Sequence, residues 1–162
     1  MAFHLVPYVA VGPLRFGMER ADIHALLGPA QVFVKPFGTV ECEDYPSLGI
    51  FVEYDANLQC AYVALAAPTS VLYKGKDLLR LTVKQLSKLL ADDAHLEFGG
   101  DTLTSRLHGI GAVFEYKTKP VARITAFKKG YYDQSDERIR KLESLNLHEI
   151  SDEEIWNFIE NG

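Results

Sequence analysis

Apolar and polar positions alternate along this chain with two periods, and the periods change over in the same order twice. Ile23, Leu26 and Leu27 recur at helical spacing behind Phe16 and Met18, and Gly28-Pro29 stops the run. That pattern predicts a helix over about 19–27. Leu81, Leu86, Leu89 and Leu90 take the matching places further on. There Thr82 and Gln85 carry the signature of a capping box, and a second helix is predicted over about 83–91. Period-two stretches follow each helix. After the first they are 32–35, 39–43, 49–54 and 60–66, with turn signals at Pro36-Phe37-Gly38 and Asp55-Ala56-Asn57. After the second they are 95–98, 102–107, 110–116 and 121–127, broken by Gly99-Gly100-Asp101, Gly109 and 117–120. Beyond Lys129 the order stops repeating. Ser135 caps a run with Ile139, Leu142 and Leu145 on one stripe, and Ser151 to Glu154 opens another through Trp156, Phe158 and Ile159. Both predict helices that pack on the body.

The same order read twice implies a duplication. Residues 12–27 lie over 75–90 with Gly12/Gly75, Leu26/Leu89 and Leu27/Leu90 identical. Residues 48–54 lie over 110–116 with Gly49/Gly111, Glu53/Glu115 and Tyr54/Tyr116 identical. The expected fold class is α+β: two tandem helix-plus-antiparallel-meander repeats forming one extended sheet, helices on one face, and C-terminal helices added. The chain reads as a single domain over 1–162. Repeat one spans about 8–67, repeat two about 71–128, and a C-terminal helical extension 131–162.

Helices on one side of an antiparallel sheet leave the other side open. Strand parity puts Ile50, Val52 and Tyr54 on the covered face. The open face then carries Thr39, Glu41, Glu43, Phe51 and Glu53 from the first half. From the second half it carries Thr102, Thr104, Arg106, His108, Glu115, Arg123 and Thr125. One half is acidic and the other brings arginines. Asp44 and Tyr45 stand beside the acidic stretch at a loop tip. Glu41, Glu43, Asp44, Tyr45, Phe51, Glu53, Arg106, His108, Glu115 and Arg123 are therefore the candidate partner-binding residues. A broad face with charged and aromatic anchors suits protein recognition, whereas a small substrate needs a concave apolar pocket.

Composition narrows the partner. The chain has 162 residues, of which 48% are apolar and 24% charged, with a formal net charge of −5. That balance argues against nucleic acid and membrane as partners and permits a basic one. The apolar start, residues 1–12, lacks a basic flank and contains Pro7, so it reads as a first strand or extended arm, not a signal peptide. No run approaches the roughly 20 apolar residues of a membrane span. Cys42 and Cys60 are the only cysteines. They can be bridged, but without an export signal two reduced thiols are expected, and the protein is placed in the cytoplasm. His4, His24, His95, His108 and His148 are scattered, without metal-ligand spacing. No nucleophile elbow or phosphate loop is present, so no cofactor, metal or catalytic residue is expected.

The tandem helix-plus-meander plan resembles that of β-lactamase inhibitory proteins. The stretch Gly12-Pro-Leu-Arg-Phe-Gly-Met, closed by Leu26-Leu27-Gly28-Pro29, is similar to a pattern in small bacterial proteins built from this unit. The resemblance covers about residues 8–128 as architecture and the first helix region as motif. It implies a non-catalytic inhibitor whose open sheet face clamps another protein. This chain lacks one cysteine pair in each half, so the mode of binding carries over and the target does not. A cytoplasmic acidic inhibitor points by analogy to immunity proteins that neutralise basic toxin domains. Two alternatives stand beside it. One is a small-molecule binder or enzyme with a pocket between sheet and C-terminal helices, using His108, Arg106 and Glu115. The other is a homodimer joined through sheet edges.

Overall fold

The computed structural model describes residues 2–34 and 41–133. β1 (Ala2–Val6), β2 (Ala10–Val11) and β3 (Leu14–Arg15) lead into α1 (Arg20–Leu27). β4 (Gln31–Val34), β5 (Glu41–Tyr45), β6 (Ile50–Tyr54) and β7 (Cys60–Leu65) then form an antiparallel meander. β8 (Ser70–Tyr73) and β9 (Lys76–Asp77) lead into α2 (Val83–Leu89). β10 (Glu97–Phe98), β11 (Thr102–Ser105), β12 (Ile110–Val113) and β13 (Arg123–Phe127) make a second meander.

The meanders join through their last strands, because β13 pairs antiparallel with β7. The result is an eight-stranded sheet ordered β10-β11-β12-β13-β7-β6-β5-β4. The remaining strands form a second, five-stranded sheet ordered β3-β2-β1-β8-β9. Within it β1 and β8 run parallel, and a parallel pair needs a long crossover. Here the crossover is everything from β2 to β7.

These two sheets correct the expected α+β class with one extended sheet. The described chain is mainly β and sandwich-like, and among the described residues its α-helices are α1 and α2 alone. The expected helices from Ser135 and Ser151 lie outside the described residues. The second sheet escapes the periodicity because β2, β3 and β9 have two residues each, too few to alternate visibly. Turn chemistry makes them strands. Lys74 and Gly75 both adopt positive φ between β8 and β9, as a tight hairpin turn requires.

One core cluster joins both sheets and both helices. It takes Phe3, Leu5, Leu14 and Val71 from the small sheet's strands and Ile23, Val83, Leu86 and Leu90 from the helical segments. The inner face of the large sheet adds Ile50, Val52, Val63, Leu65, Leu103, Ile110 and Ile124. Burying each such side chain contributes about 1.5–3 kcal/mol.

The halves correspond, with a register that differs from the sequence match. Gly49 and Gly109 each adopt left-handed φ, +66° and +65°, immediately before Ile50 of β6 and Ile110 of β12. The β5–β6 pairs Tyr45–Ile50 and Cys42–Glu53 are repeated 60 positions later as Ser105–Ile110 and Thr102–Val113 in β11–β12. Each helix N-cap, Glu19 or Thr82, forms a β-bridge to the hairpin between the last two strands of its meander, at Gln59 or Pro120. The structural counterpart of Glu53 is therefore Val113 and that of Tyr54 is Phe114. Glu115, matched to Glu53 by sequence, falls past the end of β12 and is exposed.

Candidate functional site

Three polar groupings occupy places that this scaffold could fill with apolar residues. The first is the outer face of the large sheet. Register puts Asp44, Phe51, Glu53, Tyr62, Thr104, Arg123, Thr125 and Phe127 on it. Phe51 meets Tyr62 edge to face at 6.3 Å, and Tyr62 stacks on Tyr131 at 5.1 Å. Tyr132 packs edge-on to Phe127 at 4.8 Å, and Tyr8 also meets that ring edge to face at 5.9 Å. The hydroxyl of Tyr131 donates to Glu53 Oε1 at 2.8 Å, and Glu53 is buried. Burial, aided by the Glu53 carboxylate, pushes the Tyr131 phenol well above its ordinary range. The guanidinium of Arg106 lies 5.5 Å from the Tyr132 ring centroid, and its Nε is 3.0 Å from Glu97. Arg123 is exposed at the edge of this aromatic field.

The second grouping lies on the inner face, between β5 and α1. Glu43 is fully buried. Its carboxylate pairs with Arg20 Nε at 2.7 Å and His24 Nε2 at 2.5 Å, and accepts a hydrogen bond from the Tyr45 hydroxyl at 3.0 Å. Arg20 also reaches Glu41, and its guanidinium sits 4.9 Å from the Tyr54 ring centroid. The Tyr54 hydroxyl is buried without a hydrogen-bond partner among the described residues. Burial drives the Tyr45 phenol above its usual range, and the bond to Glu43 adds to the shift.

The third grouping gathers at the β11–β12 turn. His108 is buried, with Nε2 2.7 Å from Asp92 Oδ1 and Nδ1 2.6 Å from the Tyr73 hydroxyl. Beneath it, Ser105 Oγ donates to Asp93 Oδ2 at 2.7 Å, and the amides of His95 and Leu107 donate to the same carboxylate. Burial pushes the Asp93 carboxyl up, but those three hydrogen bonds and nearby His108 outweigh it and hold it below the usual range.

The expected site residues thus separate. Asp44, Phe51, Glu53 and Arg123 share the outer face, and Arg106 reaches it from the β11–β12 turn. Glu41, Glu43 and Tyr45 do not: the parity that assigned the two glutamates outward is corrected, because β5 presents them to α1. His108 is buried in its own hydrogen-bonded chain, away from the outer face, and Glu115 stands beyond the strand. The sequence reading missed Arg20 and His24 as the partners of Glu43. They stand four apart, one helical turn, beside Ile23, and that spacing was the available signal. Asp92, Tyr73 and Tyr62 had no local signal at all.

Both cysteines are free and buried. Burial lifts the Cys60 thiol to about 12. Among the described residues no group of three His, Cys, Asp or Glu side chains is placed to hold a metal. No described helix is long and apolar enough to cross a membrane. Comparison with protein-family models, with curated proteins and with solved structures finds no match.

Proposed function

We propose that this protein is an inhibitor that recognises another protein through the outer face of its large sheet, as immunity-type proteins do. The observation that carries the reading is the half-exposed aromatic row Phe51–Tyr62–Tyr131, flanked by Asp44 and Arg123. A sheet face meant only for water needs no such row, and rigid aromatic side chains are strong interface anchors. The two halves differ here in the way a directional surface requires. Asp44, Phe51 and Glu53 in the first half stand opposite Thr104, Gly111 and Val113 at the equivalent positions of the second. A net charge of −5 favours a basic partner, such as a toxin domain met in the cytoplasm, through steering of the encounter.

The test pairs the protein with a basic toxin-like domain encoded beside it. A 1:1 complex that suppresses the toxin's activity is expected. The triple variant Phe51→Ala, Asp44→Lys, Arg123→Glu should weaken that complex about 100-fold or more while barely moving the melting temperature. A complex of undiminished affinity in the triple variant would move the interface off this face and sink the reading.

A further inference from the structure

The Asp92–His108–Tyr73 chain has a chemistry that the protein-binding reading does not use. Its members come from three segments: the loop after α2, the β11–β12 turn and the end of β8. An ionised carboxylate only accepts hydrogen bonds, so a neutral His108 carries its proton on Nε2 and donates it to Asp92. Nδ1 then accepts from the Tyr73 hydroxyl at 2.6 Å. The imidazole cannot swing away, because the His108 amide donates to Ser105 Oγ at 3.2 Å and the ring is buried. Carboxylate, imidazole and hydroxyl thus stand in the order by which an orienting acid, a base and a nucleophile cooperate.

Tyr73 also borders space. With His4, Leu5, Leu72, Lys74 and Gly75 it lines a half-open cleft of about 230 Å³. The ammonium of Lys74 lies 5.6 Å from the Tyr73 ring centroid and 3.9 Å from Asp92 Oδ2. A cleft of this size admits a small acyl group against Leu5 and Leu72. The scaffold does not need this chain: the counterpart of His108, 60 positions earlier, is Leu48, in the turn before Gly49.

We propose that Tyr73 is the nucleophile of an acyl-transfer site, with His108 as general base and Asp92 as the residue that positions the imidazole. The substrate class is a small activated carboxylic ester. In the first step the Tyr73 oxygen bonds to the acyl carbon and the ester C–O bond breaks. The phenolic proton passes to His108 Nδ1 and on to the departing oxygen. In the second step water attacks the aryl ester on Tyr73 and gives its proton to His108. The acid is released, and the proton returns to the Tyr73 oxygen. Burial and then the nearby Asp92 hold the Tyr73 phenol above its ordinary range. It is therefore protonated at rest, and the proton must leave during attack, which is the work of a base.

The probe is 4-nitrophenyl acetate on the full chain, read by nitrophenolate release and by peptide mass spectrometry of acetylated tyrosines. Tyr73 should acetylate about 100-fold faster than Tyr116, which is exposed and has the Lys119 ammonium, not an imidazole, against its ring at 4.9 Å. Tyr73→Phe should abolish the fast release. His108→Gln should slow it about 100-fold, and Asp92→Asn about tenfold with an unchanged melting temperature, while Asp92→Glu restores most of the rate. If His108→Gln fails to fold, Asp92→Asn decides, because the Asp92 side chain is 57% exposed and its loss opens no core. Acetylation of Tyr73 no faster than of Tyr116, or a wild-type rate in Asp92→Asn, overturns the proposal.

Discussion

Helix α1 in the first half and helix α2 in the second each lie over the inner face of their own meander, and they meet it with opposite chemistry. Val83 of α2 and Leu103 of β11 belong to the hydrophobic core. The equivalent positions in the first half are Arg20 of α1, 63 positions before Val83, and Glu43 of β5, 60 before Leu103, which form a buried ion pair. Around them His24 stands for Ser87 and Tyr54 for Phe114, so the ionisable groups lie in the first half. The lesson is energetic. A buried carboxylate loses several kcal/mol of hydration, and its partners return that only when the geometry is good. Since an aliphatic pair serves the same place in the second half, the fold does not require the ions. What they supply is specificity: Arg20 and His24 of α1 both converge on Glu43, which ties the helix to one place along β5.

Breaking the entry to each β-strand tests the pseudo-symmetry most severely. Gly49 and Gly109 share a left-handed φ, but a Cβ at Gly49 would run into the carbonyl oxygens of Ala66 and Ala67. At Gly109 the nearest atoms it would meet are those of the Tyr8 ring, at 3.2 Å, and a side chain can yield. Gly49→Ala should therefore cost about 3 kcal/mol or more, and Gly109→Ala about 1–2 kcal/mol. Urea denaturation of the two variants checks this. Equal losses would mean that the two turns are held alike and the neighbouring backbone is irrelevant.

The ion cluster itself sharpens the comparison next. Arg20→Val alone strands a buried carboxylate and should cost about 3 kcal/mol. Adding Glu43→Leu copies the second half into the first and should recover that loss, with a net gain of up to about 2 kcal/mol. A double variant no better than the single one would show that the cluster, and not merely its neutral replacement, holds α1 in place.

This same place marks the limit of what the sequence disclosed. The helices and the eight strands of the large sheet were legible, because Ile50, Val52 and Tyr54, or Ile23 and Leu27, repeat at the period of their element. Glu41 and Glu43 also alternate, and alternation assigns polar residues to water. Their assignment failed because the deciding fact is nonlocal: α1 brings Arg20 and His24 over β5, which makes the covered face the better home for two carboxylates. The five-stranded sheet was hidden for another reason. Lys76 and Asp77 form a strand only because β8 is beside them, and two residues carry no period. The His108 chain depends on three segments meeting, which no local pattern encodes.

Acid should expose a third contrast, between Asp55 in the first half and Asp93 in the second. Burial pushes both carboxyls up, but stronger partners pull both below their usual range. Lys128 Nζ, 2.7 Å from Asp55, does so in one case, and Ser105 with two amides in the other. A depressed carboxyl stabilises the fold above its unfolded value, near 3.9, and that stability is lost as pH falls through the lower folded value. Stability should thus be flat from pH 7 to about 5 and decline below about 4. Asp93→Asn should cost about 1–2 kcal/mol at pH 7 and flatten part of the decline. Melting temperatures across pH 2.5–7 would show it. A decline as steep in Asp93→Asn as in the parent would remove Asp93 from the account.

The smallest contrast lies at the helix N-termini. Thr82 and Gln85 close a full capping box on α2, with the Gln85 amide donating to Thr82 Oγ1 at 3.2 Å and the Thr82 amide to Gln85 Oε1 at 2.9 Å. Glu19, at the N-cap of α1, makes no such bond through its side chain. Helix α1 is therefore held from its side by Arg20 and His24, whereas α2 is held from its end. Thr82→Ala should cost about 1 kcal/mol, and Glu19→Thr should gain a few tenths, since a threonine hydroxyl at the N-cap can accept from a first-turn amide and the Glu19 side chain does not. In the Arg20→Val, Glu43→Leu background α1 has lost its lateral anchor, and the gain from Glu19→Thr should grow toward the value of Thr82. A gain identical in both backgrounds would mean that end and side anchoring act independently, and the two helices would then differ in chemistry without trading one anchor for the other.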